Sequence, residues 1–167
     1  LRTLTRDRFK LLVQSLDKSQ LPPLLDQYVA LYGIYDLIVV VDLDGKLVAS
    51  STKNPGGSLV KGNGLREINY KEAPWFKAVI EGRTTDDKAK GFSGTYFEDF
   101  IADPLVKQAF GELAFGSSFS SVIKDAKGKV IGVISNRAGK RWFESELIGA
   151  VESLRSQGQG DAEEVAG

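Results

Sequence analysis

Residues 37–50 read LIVVVDLDGKLVAS. Leu37–Val41 is an unbroken apolar run rich in β-branched side chains, with no alternation between a wet and a dry face. Such a run predicts a strand covered on both sides. Asp44-Gly45 is hairpin turn chemistry, and Leu47–Ser51 returns as the second strand. A sheet clothed on both faces needs two covering layers from the rest of the chain.

The flanking segments supply them. Residues 1–17 predict a helix, with Phe9, Leu12, Val13 and Leu16 at helical spacing. Ser19 is a candidate cap for a second helix that starts at Pro22-Pro23, carries Leu24, Leu25, Tyr28, Val29 and Leu31 on its apolar face, and closes at Gly33. The Gly- and Lys-rich stretch 52–64 predicts a flexible crossing over the sheet. Pro74, whose fixed φ suits a first helical turn, opens a helix to about Gly82. Residues 83–90 are polar and predict an exposed loop. Strands follow at 92–101, 115–124 and 129–136, with Asp103 capping a short helix at Pro104 and a last helix from about Gly139. That last helix carries Trp142, Phe143, Leu147, Ile148 and Val151, and residues 156–167 have the composition of a linker-like tail.

The expectation is an α+β domain over 1–155: a long N-terminal helix on a five-stranded antiparallel sheet. Helices at the two ends cover one face, and the long connections 52–91 and 100–114 cover the other.

Composition removes several functions. The 167 residues contain no Cys, His or Met, so thiol nucleophiles, imidazole bases and His/Cys metal sites are absent, and no cofactor is expected. Lys+Arg and Asp+Glu both number 22, which argues against a nucleic-acid partner. No apolar run is long enough to span a membrane. The chain opens on Leu1 rather than Met, so an excised fragment is expected, with membrane spans outside it.

Asp42 and Asp44 also resemble the Asp-x-Asp-Gly-Thr strand end of haloacid-dehalogenase-like phosphatases, where they would be nucleophile and general acid. Lys46 stands in place of the Thr, and the downstream chain lacks the alternating strand–helix order of a doubly wound sheet. The same Asp-x-x-Gly-Lys spacing recurs at 125–129, as turn chemistry alone would produce.

The ordered set of DLIVVVDLDGKLVAS, YKEAPWFKAV (70–79), SGTYFEDFIADPLV (93–106) and FSSVIKDAKGKVIGVISN (119–136) resembles the Cache domains, PAS-like extracytoplasmic sensors of bacterial chemoreceptors and sensor kinases. The resemblance covers residues 34–137 and implies a non-enzymatic, single-module ligand-binding domain. It implies a periplasmic position in a membrane-anchored protein that signals by helix displacement. A ligand-free PAS-like dimerisation module is the alternative. Leu1, Leu4, Leu11 and Leu12 lie partly outside the sheet-facing stripe, which makes a homodimer seam the expectation.

The resemblance also implies a site. Tyr70, Trp75, Phe76 and Tyr96 match aromatic pocket positions, with Ser118 and Asn136 adding polar groups. Each aromatic also suits an ordinary core or sheet role. The family's carboxylate-binding Arg is replaced by Ala73, and its ammonium-binding Asp by Asn136-Arg137. An α-amino acid is therefore not the expected ligand. A small carboxylate is favoured, with Arg66, Lys71 or Arg137 as its partner.

Overall fold

The computed structural model describes residues 14–87, 89 and 92–165. The predicted N-terminal helix and its leucine seam fall almost wholly outside these residues. Within them, the chain forms five helices and one antiparallel sheet of six strands. Helix α1 (Leu21–Tyr32) precedes β1 (Tyr35–Asp42) and β2 (Leu47–Ser50). Helix α2 (Gly62–Arg66), a 3-10 turn (Tyr70–Glu72) and α3 (Pro74–Ile80) follow. Then come β3 (Thr85–Asp87), β4 (Phe92–Ala102), α4 (Pro104–Phe110), β5 (Phe115–Lys124), β6 (Val130–Ala138) and α5 (Lys140–Val165).

The strand order is β2-β1-β6-β5-β4-β3. The sixth strand is the correction to the predicted five: Thr85–Asp87, read as loop from its polarity, pairs with the edge of β4. An edge strand needs backbone partners on one side only, so hydrophobic patterning does not reveal it.

Side chains alternate across the sheet and separate two cores. Leu37, Val39, Val41 and Val133 face α3 and α4, together with Tyr70, Trp75, Phe76, Val79 and Leu105. Ile38, Val40 and Ile123 face α1, where Leu21, Leu25 and Val29 recur every four residues. Leu31, expected on that stripe, is 61% exposed, and Leu21 takes the place in the core. Ser19 does not cap α1 either: Gln20 holds the cap position, and the Ser19 hydroxyl donates to Asp17.

The two hairpins share one device. Oδ1 of Asp42 accepts the N–H groups of Asp44 and Lys46, and Oδ1 of Asp125 accepts those of Lys127 and Lys129, all at 2.9 Å. The repeated spacing is turn chemistry, and in each hairpin the Gly (Gly45, Gly128) takes a positive φ. The first Asp of the phosphatase-like stretch is thus engaged by its own turn.

A bulge in β4 decides what faces α3 and α4. Glu98 pairs with Ser118, but Ile101 pairs with Gly116, so β4 spends one extra residue there. Phe100 takes a φ of 26° at this point. Ile101 joins the face of Glu98, and the Phe100 ring leaves it to stack on Phe115 and meet Phe143. On that outer side Phe97 and Phe119 pack on Trp142 in the first turn of α5.

Beyond that turn α5 leaves the sheet: Leu147, Ile148 and Val151 are exposed, contrary to the covering role expected of this helix. The helix continues to Val165, so the stretch 156–165 is helical where composition suggested an irregular tail. No helix among the described residues is long and apolar enough to cross a membrane.

A methyl group on Gly116 would overlap the backbone carbonyl of Ala138. Backbone in a central ladder cannot step aside, so Gly116→Ala is expected to lower stability by about 1–3 kcal/mol. Urea denaturation with an unchanged midpoint would contradict this packing.

Candidate functional site

The residues of the inner face converge on a cavity of about 360 Å³ between the sheet and the 70–75 and 104–108 segments. Pro74 begins α3 so that Trp75 enters the wall, and the 3-10 turn before it delivers Tyr70. The rings of Tyr70 and Trp75 lie 5.9 Å apart. The Tyr70 hydroxyl donates to the Leu65 carbonyl at 2.9 Å, and burial raises its pKa well above the ordinary tyrosine value, making it a weaker acid. It remains a neutral phenol under all physiological conditions.

Glu98 on β4 and Arg137 on β6 form the sheet side of the cavity. Arg137 is nearly sealed from bulk water, at 1% exposure. Its Nε donates to Oδ2 of Asp103 at 2.7 Å, and Nη1 reaches Ser135 at 3.1 Å and Oε1 of Glu98 at 3.4 Å. Its guanidinium carbon stands 5.9 Å from the centre of the Trp75 ring. Among the described residues no hydrogen bond engages Nη2. Asp103 does two jobs: Oδ1 caps α4 through the N–H groups of Leu105 and Val106, while Oδ2 holds the arginine. The Ser118 hydroxyl donates to Oε1 of Glu98 at 2.6 Å.

The predicted residues scatter around this cavity. Tyr70 and Trp75 line it. Phe76, about 100° round the helix from its neighbour, fills the core without lining the cavity, its ring 6.3 Å from that of Trp75. Tyr96 shares the face of Glu98 and packs against the core cluster without lining the cavity. Ser118 lies behind, as the partner of Glu98. Asn136 is on the opposite face, because its neighbours Ser135 and Arg137 occupy this one. Of the three candidate cations, Arg137 lines the cavity. Arg66 borders a different hollow of about 240 Å³ beside β2, and Lys71 is exposed.

Sequence reasoning missed Glu98, Asn69, Ile101 and Gln108. Glu98 sits in the quoted stretch SGTYFEDF, and counting by twos from Tyr96 would have placed it on the same face.

The fold is similar to part of several solved chemoreceptor ligand-binding domains, the class the sequence resembles. The domain of Campylobacter jejuni chemoreceptor Tlp3 in complex with L-valine matches at TM-score 0.54 and 18% identity, over 83% of this chain and 49% of its own. That of Pseudomonas fluorescens chemoreceptor CtaA in complex with L-serine matches at 0.50 and 13%, over 84% and 50%. The ligand-binding domain of Mlp24 with asparagine matches at 0.51 and 12%, over 84% and 49%. The chain thus spans about half the length of these solved domains. No protein-family model and no curated protein matches it.

Asp36 lies between the site and α5. Burial raises its carboxyl above the ordinary value, Arg141 pulls it back, and Asp103 adds to the rise. A carboxyl that holds its proton more tightly when folded contributes favourably below the unfolded value of about 4, and loses that contribution as pH rises through the folded value. Asp36→Asn should therefore melt above wild type at pH 7, with the gap closing by pH 3. Thermal melts across that range check it, and a gap that widened toward acid would reverse the assignment.

Asp103→Asn keeps an acceptor for the α4 cap but leaves the Arg137 charge buried without its closest partner. The expected loss is about 3–5 kcal/mol of stability, read by chemical denaturation.

Proposed function

We propose that this chain is a sensor module that takes a small organic solute into the cavity between Trp75 and the Glu98–Arg137 pair. The observation that carries the reading is the cavity itself. On a fold shared with chemoreceptor ligand-binding domains, it joins a Tyr70–Trp75 wall to a buried charged cluster. The reading includes a non-enzymatic role: the Asp42 carboxylate is spent on its turn. It also includes a periplasmic position in a membrane-anchored receptor.

Output follows from connectivity. Arg137 is three residues before the start of α5, and β6 passes into that helix through Gly139, which rests against the Asp36 carboxylate. A ligand that binds two arrangements of Arg137 unequally would shift α5 between two positions. Leu147, Val151 and Leu154 repeat along α5 at four- and three-residue steps, the spacing of a helix–helix seam, and support a homodimer.

The small carboxylate expected from sequence has one seat, the Nη2 corner of Arg137. There it would share the cavity with Glu98. A ligand of about four heavy atoms gains at most about 6 kcal/mol at roughly 1.5 per atom, so tens of micromolar or weaker is the expected affinity.

The test is a thermal-shift and calorimetric screen of organic acids, amino acids and small amines. Trp75 is 3% exposed and belongs to the core, so Trp75→Ala would cost about 3–5 kcal/mol and confuse folding with binding. Trp75→Phe keeps most of the packing and is expected to weaken the best ligand at least 10-fold. Phe76→Leu, outside the cavity, should lose about 1 kcal/mol of stability and keep its affinity. Equal affinities in wild type and Trp75→Phe would sink the site.

A further inference from the structure

We infer that the ligand carries a positive charge, and that Glu98 selects it. The inference rests on the proposed sensor site and names its ligand class. The charged side chains lining the cavity are Glu98 and Arg137. They are not equivalent. Arg137 is already neutralised at close range: Asp103 meets its Nε at 2.7 Å, and the two side chains are 1% and 2% exposed. A buried pair with that geometry is complete in itself, and its net field in the cavity is small.

Glu98 has no such match. Its contact to Arg137 is 3.4 Å long, its side chain is 14% exposed, and its short bond comes from the neutral hydroxyl of Ser118. Both contacts use Oε1. One guanidinium thus stands against two carboxylates, and the unbalanced charge is a negative one on the cavity wall. Screening by solvent is poor in such a recess, so the imbalance weighs on any solute that enters.

A carboxylate ligand would raise the excess from one negative charge to two. An ammonium would cancel it. The Trp75 ring, which lines the cavity and already lies 5.9 Å from the Arg137 guanidinium carbon, suits the same choice: an indole attracts a desolvated cation and has no such attraction for an anion. The Nη2 corner of Arg137 adds a donor for an oxygen elsewhere on the ligand. It orients the solute but does not set its charge. The ligand class is therefore an organic ammonium compound with an apolar body. The amine is required and a second polar group is optional.

Three probes that share an isobutyl group separate the possibilities: isobutylamine carries an amine on it, 3-methylbutanoate a carboxylate, and L-valine both. Calorimetry on the intact chain is expected to show binding of isobutylamine and L-valine and none of 3-methylbutanoate. Glu98→Gln keeps an acceptor for Ser118 and should weaken both amines at least 10-fold while leaving the melting temperature of the free protein within a few degrees. Ser118→Ala, which only unfastens Glu98, should weaken them less.

Tighter binding of 3-methylbutanoate than of isobutylamine would overturn the charge assignment and leave the sensor reading intact. So would unchanged amine affinity in Glu98→Gln, or binding of only the organic acids of the wider screen. Failure of every compound in both sets would remove the sensor reading along with it.

Discussion

The Arg137–Asp103 ion pair ties together the parts of this domain that matter for function. One carboxylate oxygen of Asp103 fastens the first turn of α4, and the other holds a guanidinium rooted in the central strand β6. Helix and sheet are thereby locked at the floor of the cavity. Burying both charges is costly in desolvation, and the cost is offset only because the geometry is short and the remaining hydrogen-bond capacity is largely used. Among the described residues, apart from the cavity-lining arginine, every side-chain nitrogen or oxygen wholly shut off from solvent has a hydrogen-bond partner.

Around that lock the strands sort side chains by parity. β5 and β6 give Ser118, Ser120, Ser135 and Arg137 to the cavity side, and the paired hydroxyls of Ser120 and Ser135 satisfy each other at 2.8 Å. The polar centre of the sheet therefore has no need of water. The β4 bulge breaks the parity once. It keeps Ile101 beside Glu98 and sends the Phe100 ring out to Phe115 and Phe143. The same irregularity shapes both a wall of the cavity and the aromatic seat of α5.

A short run of sequence carried two chemical meanings. Asp42-x-Asp44-Gly45 matched the start of a phosphoryl-transfer site, yet Asp42 folds onto two backbone N–H groups of its own turn, as Asp125 does in the other hairpin. A catalytic carboxylate needs free lone pairs aimed at a substrate, and spacing along a strand end is silent on that. The matched geometry of two hairpins far apart in the chain separates the meanings.

Local chemistry made much of the fold legible in the sequence. The run Leu37–Val41, the two Asp-x-x-Gly-Lys turns, Pro74 and the Asp103-Pro104 start of α4 each encode an element within a few residues, because turn and cap energies are short-range. The antiparallel sheet and its two covering layers follow from them. The edge strand Thr85–Asp87 was not legible, since its pairing depends on β4 and not on its own polarity. The cavity was half legible: Tyr70 and Trp75 line it, while Arg137 was only one of three candidate cations and Asn136 faces away. One residue of register sends a strand side chain to the opposite face. Which face meets α3 and α4 is fixed by partners far along the chain: Glu98 is 39 residues from Arg137, and Leu37 pairs with Arg137 across β1 and β6. The sequence by itself determined most of the elements and their order. Only the tertiary structure decided which charges share a cavity, because that depends on distances between strands and not on spacing along the chain.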